Sequence, residues 1–228
     1  DKSYLLPLKM SETSQEGFDL DENVCFLKVE NPKYGTLDCD RSKWEVVFCN
    51  SDEKNAVSEP NGDKGGVGCL FDDDINSYWH ANWSGGTNND DQFPQLFQGG
   101  REMPITIVVD MKESLIVHSI GWTQRQNSDY QDTKKVEYYV SDDEQFKLGG
   151  KEDYSPVALN NWTFVMERSY QKGYNATQWQ TQSEEVLQKK VKGHLLKVKI
   201  VEGYRDRLAS GAELYVKQLL AIDGEPIK

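Results

Sequence analysis

The residues best equipped for chemistry are concentrated in one stretch, Leu70-Phe71-Asp72-Asp73-Asp74-Ile75-Asn76-Ser77-Tyr78-Trp79-His80-Ala81-Asn82-Trp83. Asp72, Asp74 and Asn76 recur at every second position, the one-three-five spacing of oxygen ligands in an EF-hand calcium loop. The EF-hand reading fails at its other fixed points. Ser77 stands where the sharp turn needs glycine, and Trp83 where a bidentate glutamate should close the ion. A solvated acidic turn is the plain alternative.

Catalytic patterns are missing. The histidines at 80, 118 and 194 have no G-x-S-x-G serine and no cysteine partner pattern. His118 alternates with apolar residues of a strand, which is expected of a core histidine. Residues 61–66, Asn-Gly-Asp-Lys-Gly-Gly, are glycine-rich but lack the G-K-[ST] of a phosphate loop. Carboxylates are plentiful, yet no motif nominates a glycosidase pair. The cysteines at 25, 39, 49 and 69 include no C-x-x-C, which argues against zinc. Their even number permits two disulfides, and buried free thiols are the alternative. The expectation is a protein that is not an enzyme.

The elements that must position these residues are strands. Aromatics make up 11% of the 228 residues, and a 37% hydrophobic content is enough for a packed core. Strand patterns occupy residues 4–10, 24–30, 44–49, 105–110, 117–125, 136–141, 162–166, 195–201 and 213–222. Pro7 makes the first an edge strand or places a bulge in it. Residues 31–35 read as a turn and 50–68 as a polar loop. Leu196, Val198 and Ile200 face one way, Lys197 and Lys199 the other. Ile116, His118, Ile120 and Trp122 are expected to share a face. Residues 183–191 are the best candidate for a short helix. Strands separated by turn-rich loops predict a sandwich or jelly roll. The net charge of −12 disfavours nucleic acid and anionic membrane surfaces. No apolar run approaches the roughly 18 residues of a membrane span.

The motif segment resembles the entry motif of discoidin-type (coagulation factor five/eight type C, galactose-binding-like) domains, roughly A-x-D-G-[DN]-x-x-T-x-W. Asp72, Asp74, Ser77 and Trp79 occupy the matching positions. Four features follow in the family's order: a strand ending at Asp110, a strand ending at Arg125, Tyr138-Tyr139-Val140-Ser141-Asp142-Asp143, and Gly211-Ala212-Glu213-Leu214. Leu70 and Asp73 depart from the small residues usual in the turn, and residues 147–161 look like an insertion. The resemblance implies an all-β, discoidin-type jelly-roll β-sandwich over residues 43–228, preceded by a short N-terminal β segment, residues 1–42. That leading segment is similar to the last strands of a domain that precedes discoidin modules in bacterial secreted glycan-handling lipoproteins.

Carried over residue by residue, the resemblance implies a structural calcium ion. Its ligands would be the carbonyl of Cys69, the carboxylates of Asp72 and Asp74, Ser77, the carbonyl of Ala212 and the carboxylate of Glu213. This all-oxygen set suits Ca²⁺. The resemblance to carbohydrate-binding modules of family 32 also implies a glycan site. His80 and Trp83 would come from the entry loop, Arg125, Asn127 and Tyr130 from just past a strand end, and Tyr204 from the loop before Ala212; Arg205 and Arg207 share that last loop. Such a site needs a flat aromatic face and a few fixed hydrogen-bonding groups. The function implied is non-catalytic carbohydrate binding outside the cytoplasm, at a bacterial cell surface or in the periplasm, for polysaccharide utilisation. Protein or matrix adhesion on the same fold is the alternative, and a glycosidase is a distant third. The partners implied are an oligo- or polysaccharide and other surface glycan-utilisation proteins.

Overall fold

The computed structural model describes residues 3–9, 24–52, 65–83, 102–143, 161–172 and 185–227. The chain divides into two compact units, residues 1–35 with 220–228, and residues 36–219.

In the smaller unit, β1 (Ser3–Lys9) and β2 (Val24–Glu30) form an antiparallel ladder from Ser3↔Glu30 to Lys9↔Val24. A two-stranded ladder has only edges, so Pro7 costs it little. The strands that build the sandwich, most of whose residues lie in the larger unit, are β3 (Tyr34–Asp38), β4 (Glu45–Cys49), β5 (Trp79–His80), β6 (Ile105–Thr123), β7 (Thr133–Ser141), β8 (Thr163–Ser169), β9 (Glu185–Gly203), β10 (Ser210–Gly211) and β11 (Glu213–Ile222). The last few residues of β11 run into the smaller unit, where β12 (Glu225–Pro226) folds back on them.

Two 19-residue strands, β6 and β9, lie at the middle of an eight-stranded sheet and carry most of its pairing. The first part of β6 pairs with β4 and with residues 195–200 of β9, which also pair with β7. The second part pairs with β11 and with the beginning of β9. The ladder breaks between Asp110 and Leu115, where Lys112 adopts a left-handed φ of 66°. Strands that bend at such irregularities form the corners between packed sheets.

Three expectations are corrected by these pairings. The described part of the segment expected to be helical over 183–191 is extended: β9 begins at Glu185, and Val186 and Val191 pair with Ser119 and Val117. A helix-compatible string is extended here because its backbone completes a ladder, and tertiary pairing overrides weak propensity. Residues 34 and 35 belong to a strand, β3, which pairs with β11. Finally, Ile116 and His118 do not share the core face with Ile120 and Trp122. A register shift between Val117 and Ser119 changes the parity, so Leu115 and Val117 enter the core before it and Ile120 and Trp122 after it.

The core is aromatic at its centre. Trp79 and Trp122 are fully buried and meet edge to face at 6.4 Å, and Tyr170 lies 6.3 Å beyond Trp122. Tyr138 and Tyr170 share a hydroxyl hydrogen bond of 2.7 Å inside it. Cys39, Cys49 and Cys69 are free thiols; the Cys25 side chain lies outside the described residues.

Leu196, Val198 and Ile200 enter the core, and Lys197 faces the other way, as the alternation predicts. Lys197 is nevertheless only 8% exposed, with its ammonium 4.3 Å above Tyr139 and 4.5 Å above Trp162. Burial pushes it down to about 8, Lys199 adds to this, and Glu137 opposes it. Below pH 8 the lysine is charged in both folded and unfolded chains, and the cost of its burial is felt in full. Between pH 8 and its ordinary value of 10.5 the unfolded chain binds a proton that the folded chain sheds, so this cost is relieved as pH rises. Lys197→Met keeps the packed stem and removes the charge. We expect it to raise the melting temperature at pH 7 by a few degrees, about 1 kcal/mol in a unit of this size. Thermal melts of both proteins should show that gain shrinking between pH 8 and 10.5; a gain independent of pH would contradict the assignment.

Candidate functional site

The entry loop is positioned from below by Trp79. β5 pairs with β10 through Gly211↔Trp79 and Ser210↔His80. That pairing requires glycine at 211, because a Cβ there would lie 2.1 Å from Cζ2 of Trp122. The loop is also held by Gly65, which donates to the Tyr78 carbonyl at 2.7 Å and accepts from the His80 amide at 3.0 Å. His80 is thereby delivered to the end of the sandwich where β6 stops, β7 starts and β9 finishes.

A buried carboxylate that the sequence reading passed over organises this end. Asp132 is fully buried just before β7. Arg205 grips it bidentately, Nε to Oδ1 at 2.5 Å and Nη2 to Oδ2 at 2.6 Å. His80 Nε2 lies 3.3 Å from Oδ2, while its Nδ1 faces the Ala81 carbonyl at 2.6 Å. Burial pushes the Asp132 carboxyl upward, but the hydrogen bonds from Arg205 and His80 outweigh it and hold the group below its ordinary range. Ser210 fastens the same region, accepting from the Asp132 amide at 3.2 Å and donating to the Tyr130 carbonyl at 2.5 Å.

Over this anchor lies a stack of cations and rings. The Arg125 guanidinium sits 3.5 Å over the Tyr78 ring and 4.8 Å from the centre of Tyr130, and Arg205 lies 4.9 Å from the same Tyr130 ring. Arg125 is half-buried, and desolvation lowers its pKa. Such contacts contribute about 0.5–2 kcal/mol each.

Of the residues proposed from the sequence, Arg125, Tyr130 and His80 are thus joined through Arg205 and Asp132. Tyr130 is 41% exposed and Trp83 58% exposed, whereas His80 is 4% exposed and faces inward. Asn127 is exposed and caps the 3-10 turn at Ser128–Tyr130 by accepting from the Asp129 amide at 3.1 Å. Tyr204 is 37% exposed, and its hydroxyl donates to the Tyr170 carbonyl at 2.9 Å, tying it to the sheet end. Arg207 pairs with its neighbour Asp206, at 3.5 Å. Most of the loop at 82–98, including Phe93 and Phe97, and nearly all of the insertion at 147–161 lie outside the described residues.

The acidic turn and the C-terminal Ala-Glu pair meet at the rim, and Arg41 joins them. Its guanidinium bonds Glu213 and Asp73 closely, and donates to the Leu70 carbonyl at 3.3 Å and the Leu214 carbonyl at 3.1 Å, with the Tyr215 ring at 4.2 Å. Asp73, which stands where the family motif has glycine, adopts a φ of 61°. Aspartate tolerates that left-handed conformation better than most residues.

Beside Arg41 the proposed calcium ligands draw together in part. Ser77 Oγ donates to Asp72 Oδ2 at 2.7 Å and lies 3.4 Å from the Cys69 carbonyl oxygen. Glu213 is fully buried, and its Oε1 has no hydrogen-bond partner. Burial pushes this carboxyl up to about 8, with Arg41 opposing and Asp72 and Asp73 adding to the rise. Asp74 is exposed and turned into its own loop, where Oδ1 accepts from the Asn76 amide at 2.9 Å. Ala212 is buried between Gly211 and Glu213, its amide donating to the Thr123 carbonyl at 2.8 Å. Among the described residues no three His, Cys, Asp or Glu side chains gather for a metal. The candidate set here is instead a mixture of carboxylate, hydroxyl and carbonyl oxygens.

Arg41, Tyr78 and Asp132 are the residues the sequence did not reveal. Arg41 and Asp132 are single charges between ordinary neighbours, and their partners lie 172 and 73 residues away. Tyr78 sits inside the entry motif, where only its neighbour Trp79 stood out.

No family model matches the sequence, and no curated protein matches it. Solved structures do share its architecture. The family 32 carbohydrate-binding module of Clostridium perfringens NanJ, solved with galactose, aligns over 80% of this chain and 99% of its own at 17% identity and a TM-score of 0.54. The C-terminal domain of a Bacteroides fragilis chitobiase aligns over 81% and 99% at 18% identity and a TM-score of 0.56. A SusE-like protein aligns over 92% of this chain and 75% of its own at 16% identity and a TM-score of 0.55. The chain therefore has the discoidin-type, galactose-binding-like sandwich fold of family 32 modules.

Proposed function

We propose that the chain is a non-catalytic carbohydrate-binding module of a bacterial surface or secreted glycan-handling protein, with a shallow glycan site at the β5–β10 end. The observation that supports this is the group built on Asp132. It holds Arg205 in a fixed place, and both Arg205 and Arg125 lie against the partly exposed Tyr130 ring, with Asn127 on the same segment. Fixed donors beside exposed rings are what sugar hydroxyls and apolar C–H faces require. The galactose complex of the NanJ module, on the same fold, agrees with the choice of ligand class. Few groups make contact, so affinity is expected to be modest.

A glycan array followed by titration calorimetry tests this reading. Arg125→Ala and Trp83→Ala should each weaken binding by tenfold or more while remaining folded, with Arg125→Ala also melting a few degrees lower because it loses the Tyr78 and Tyr130 contacts. Unchanged glycan binding in both variants would place the site elsewhere, and binding to matrix proteins with silence on the array would favour adhesion.

We also propose a structural calcium ion at the rim, held by Asp72, Glu213, Ser77 and the carbonyls of Cys69 and Ala212. The orphaned Glu213 Oε1 and the neighbouring Asp72 and Ser77 oxygens fit a hard cation. Bound there, the ion would supply charge that keeps Glu213 ionised. Calcium at about 100 times its dissociation constant stabilises by about 2.7 kcal/mol, several degrees in the melting temperature. A chelator should therefore lower the midpoint of the wild type and leave Glu213→Gln unmoved. Equal midpoints with and without chelator in the wild type would remove the ion.

A further inference from the structure

Arg125 and Arg205 share the charge of one carboxylate, Asp132, in an acidic protein. The chain has 38 Asp and Glu against 26 Lys and Arg, so carboxylates are in excess. The surface lysines around the sheets are paired accordingly: Lys112 with Glu45 at 2.5 Å, Lys135 with Glu167 at 2.9 Å, and Lys199 with Glu137 at 2.9 Å. Among the described residues Arg125 lies against the Tyr78 and Tyr130 rings, and no carboxylate forms an ion pair with it. Asp132 attracts Arg125, but both its oxygens are engaged by Arg205, one of them shared with His80. A second guanidinium, Arg205, lies against the same Tyr130 ring and repels Arg125.

A half-buried guanidinium beside a like charge gains more from a ligand that brings a negative charge than from one that brings only hydroxyls. Its planar fork matches a carboxylate through two parallel N–H···O bonds, a match an ammonium cannot make. We propose that this end of the sandwich selects acidic glycans, with the carboxylate of a sugar acid docking on Arg125 and Arg205 adding to the attraction. The proposal rests on the reading of this end as a glycan site and names the class of sugar it takes.

Calorimetry with two matched pairs tests it: tetragalacturonate against its carboxyl-reduced form, and 3′-sialyllactose against lactose. The acidic member of at least one pair should bind tenfold tighter or more at 50 mM NaCl. That preference should shrink at 500 mM NaCl, as a charge contact requires. Arg125→Gln should erase the preference, and Arg125→Lys should retain part of it, with both variants unfolding cooperatively and Arg125→Gln melting a few degrees lower for the loss of its ring contacts. A sulfated galactose oligosaccharide forms a third arm, and tighter binding of sulfate than of carboxylate would overturn the carboxylate assignment. Equal affinity within both pairs, insensitive to salt, would overturn the inference while leaving a glycan site in place. Failure of every acidic and neutral glycan to bind would overturn both.

Discussion

Asp132→Ala is expected to lower the melting temperature by roughly 10 °C and to weaken glycan binding by at least tenfold. The carboxylate is fully buried and is the common partner of Arg205 and His80. Removing one member of a buried pair leaves the others desolvated without compensation, at about 3–5 kcal/mol. Each kcal/mol corresponds to about 2–4 °C in a domain of this size. Binding suffers because Arg205, freed from its fork, no longer holds its place against Tyr130. Asp132→Asn keeps the shape and one acceptor, so it should lose less stability than alanine. The pH dependence has a definite sign. The folded group titrates below its ordinary value, so its contribution is complete above the unfolded pKa, about 4, and is lost as pH falls through the folded one. Melts at pH 7 and pH 3 should therefore show the wild type and Asp132→Asn drawing together in acid. A full gap at pH 3 would mean that the effect is packing rather than charge.

Arg41→Met is expected to cost a similar 3–5 kcal/mol, seen as a lower urea midpoint with an unchanged slope. Arg41 is buried and donates to two carbonyls as well as to Glu213 and Asp73. Measured with a chelator present, so that no calcium sits on Glu213, loss of Arg41 takes away the cation that pairs with this buried carboxyl, whose Oε1 has no partner among the described residues. The companion variant separates charge from packing. Arg41→Met with Glu213→Gln removes both charges, and replacing both members of a buried pair costs far less than removing one. The double variant should recover at least half of the loss. A double variant as unstable as the single one would assign the effect to the carbonyl contacts of Arg41 instead.

Two kinds of information separate in this molecule. Strand positions were legible because period-two alternation records which face is buried, as in Leu196, Val198 and Ile200 against Lys197. Glu213–Ile222 and Val24–Glu30 are strands with the bounds that their residue types predict. The alternation failed where the backbone changes parity, since a register shift between Val117 and Ser119 leaves no mark on residue types. Residues 183–191 failed because a short lysine-rich string suits either a helix or a ladder, and only the presence of β6 decides between them.

By itself the sequence determined a mainly strand-built fold and an entry loop rich in oxygen donors and aromatic rings. These follow from residue types and local spacing. Tertiary structure alone decided which charges meet. Asp132 gains its role from Arg205 and His80, and Arg41 from Glu213 and Asp73, partners contributed by strands and loops far along the chain. A charge has no periodicity to reveal its partner, and burial, which makes the pairing matter, arises only when the sheets close.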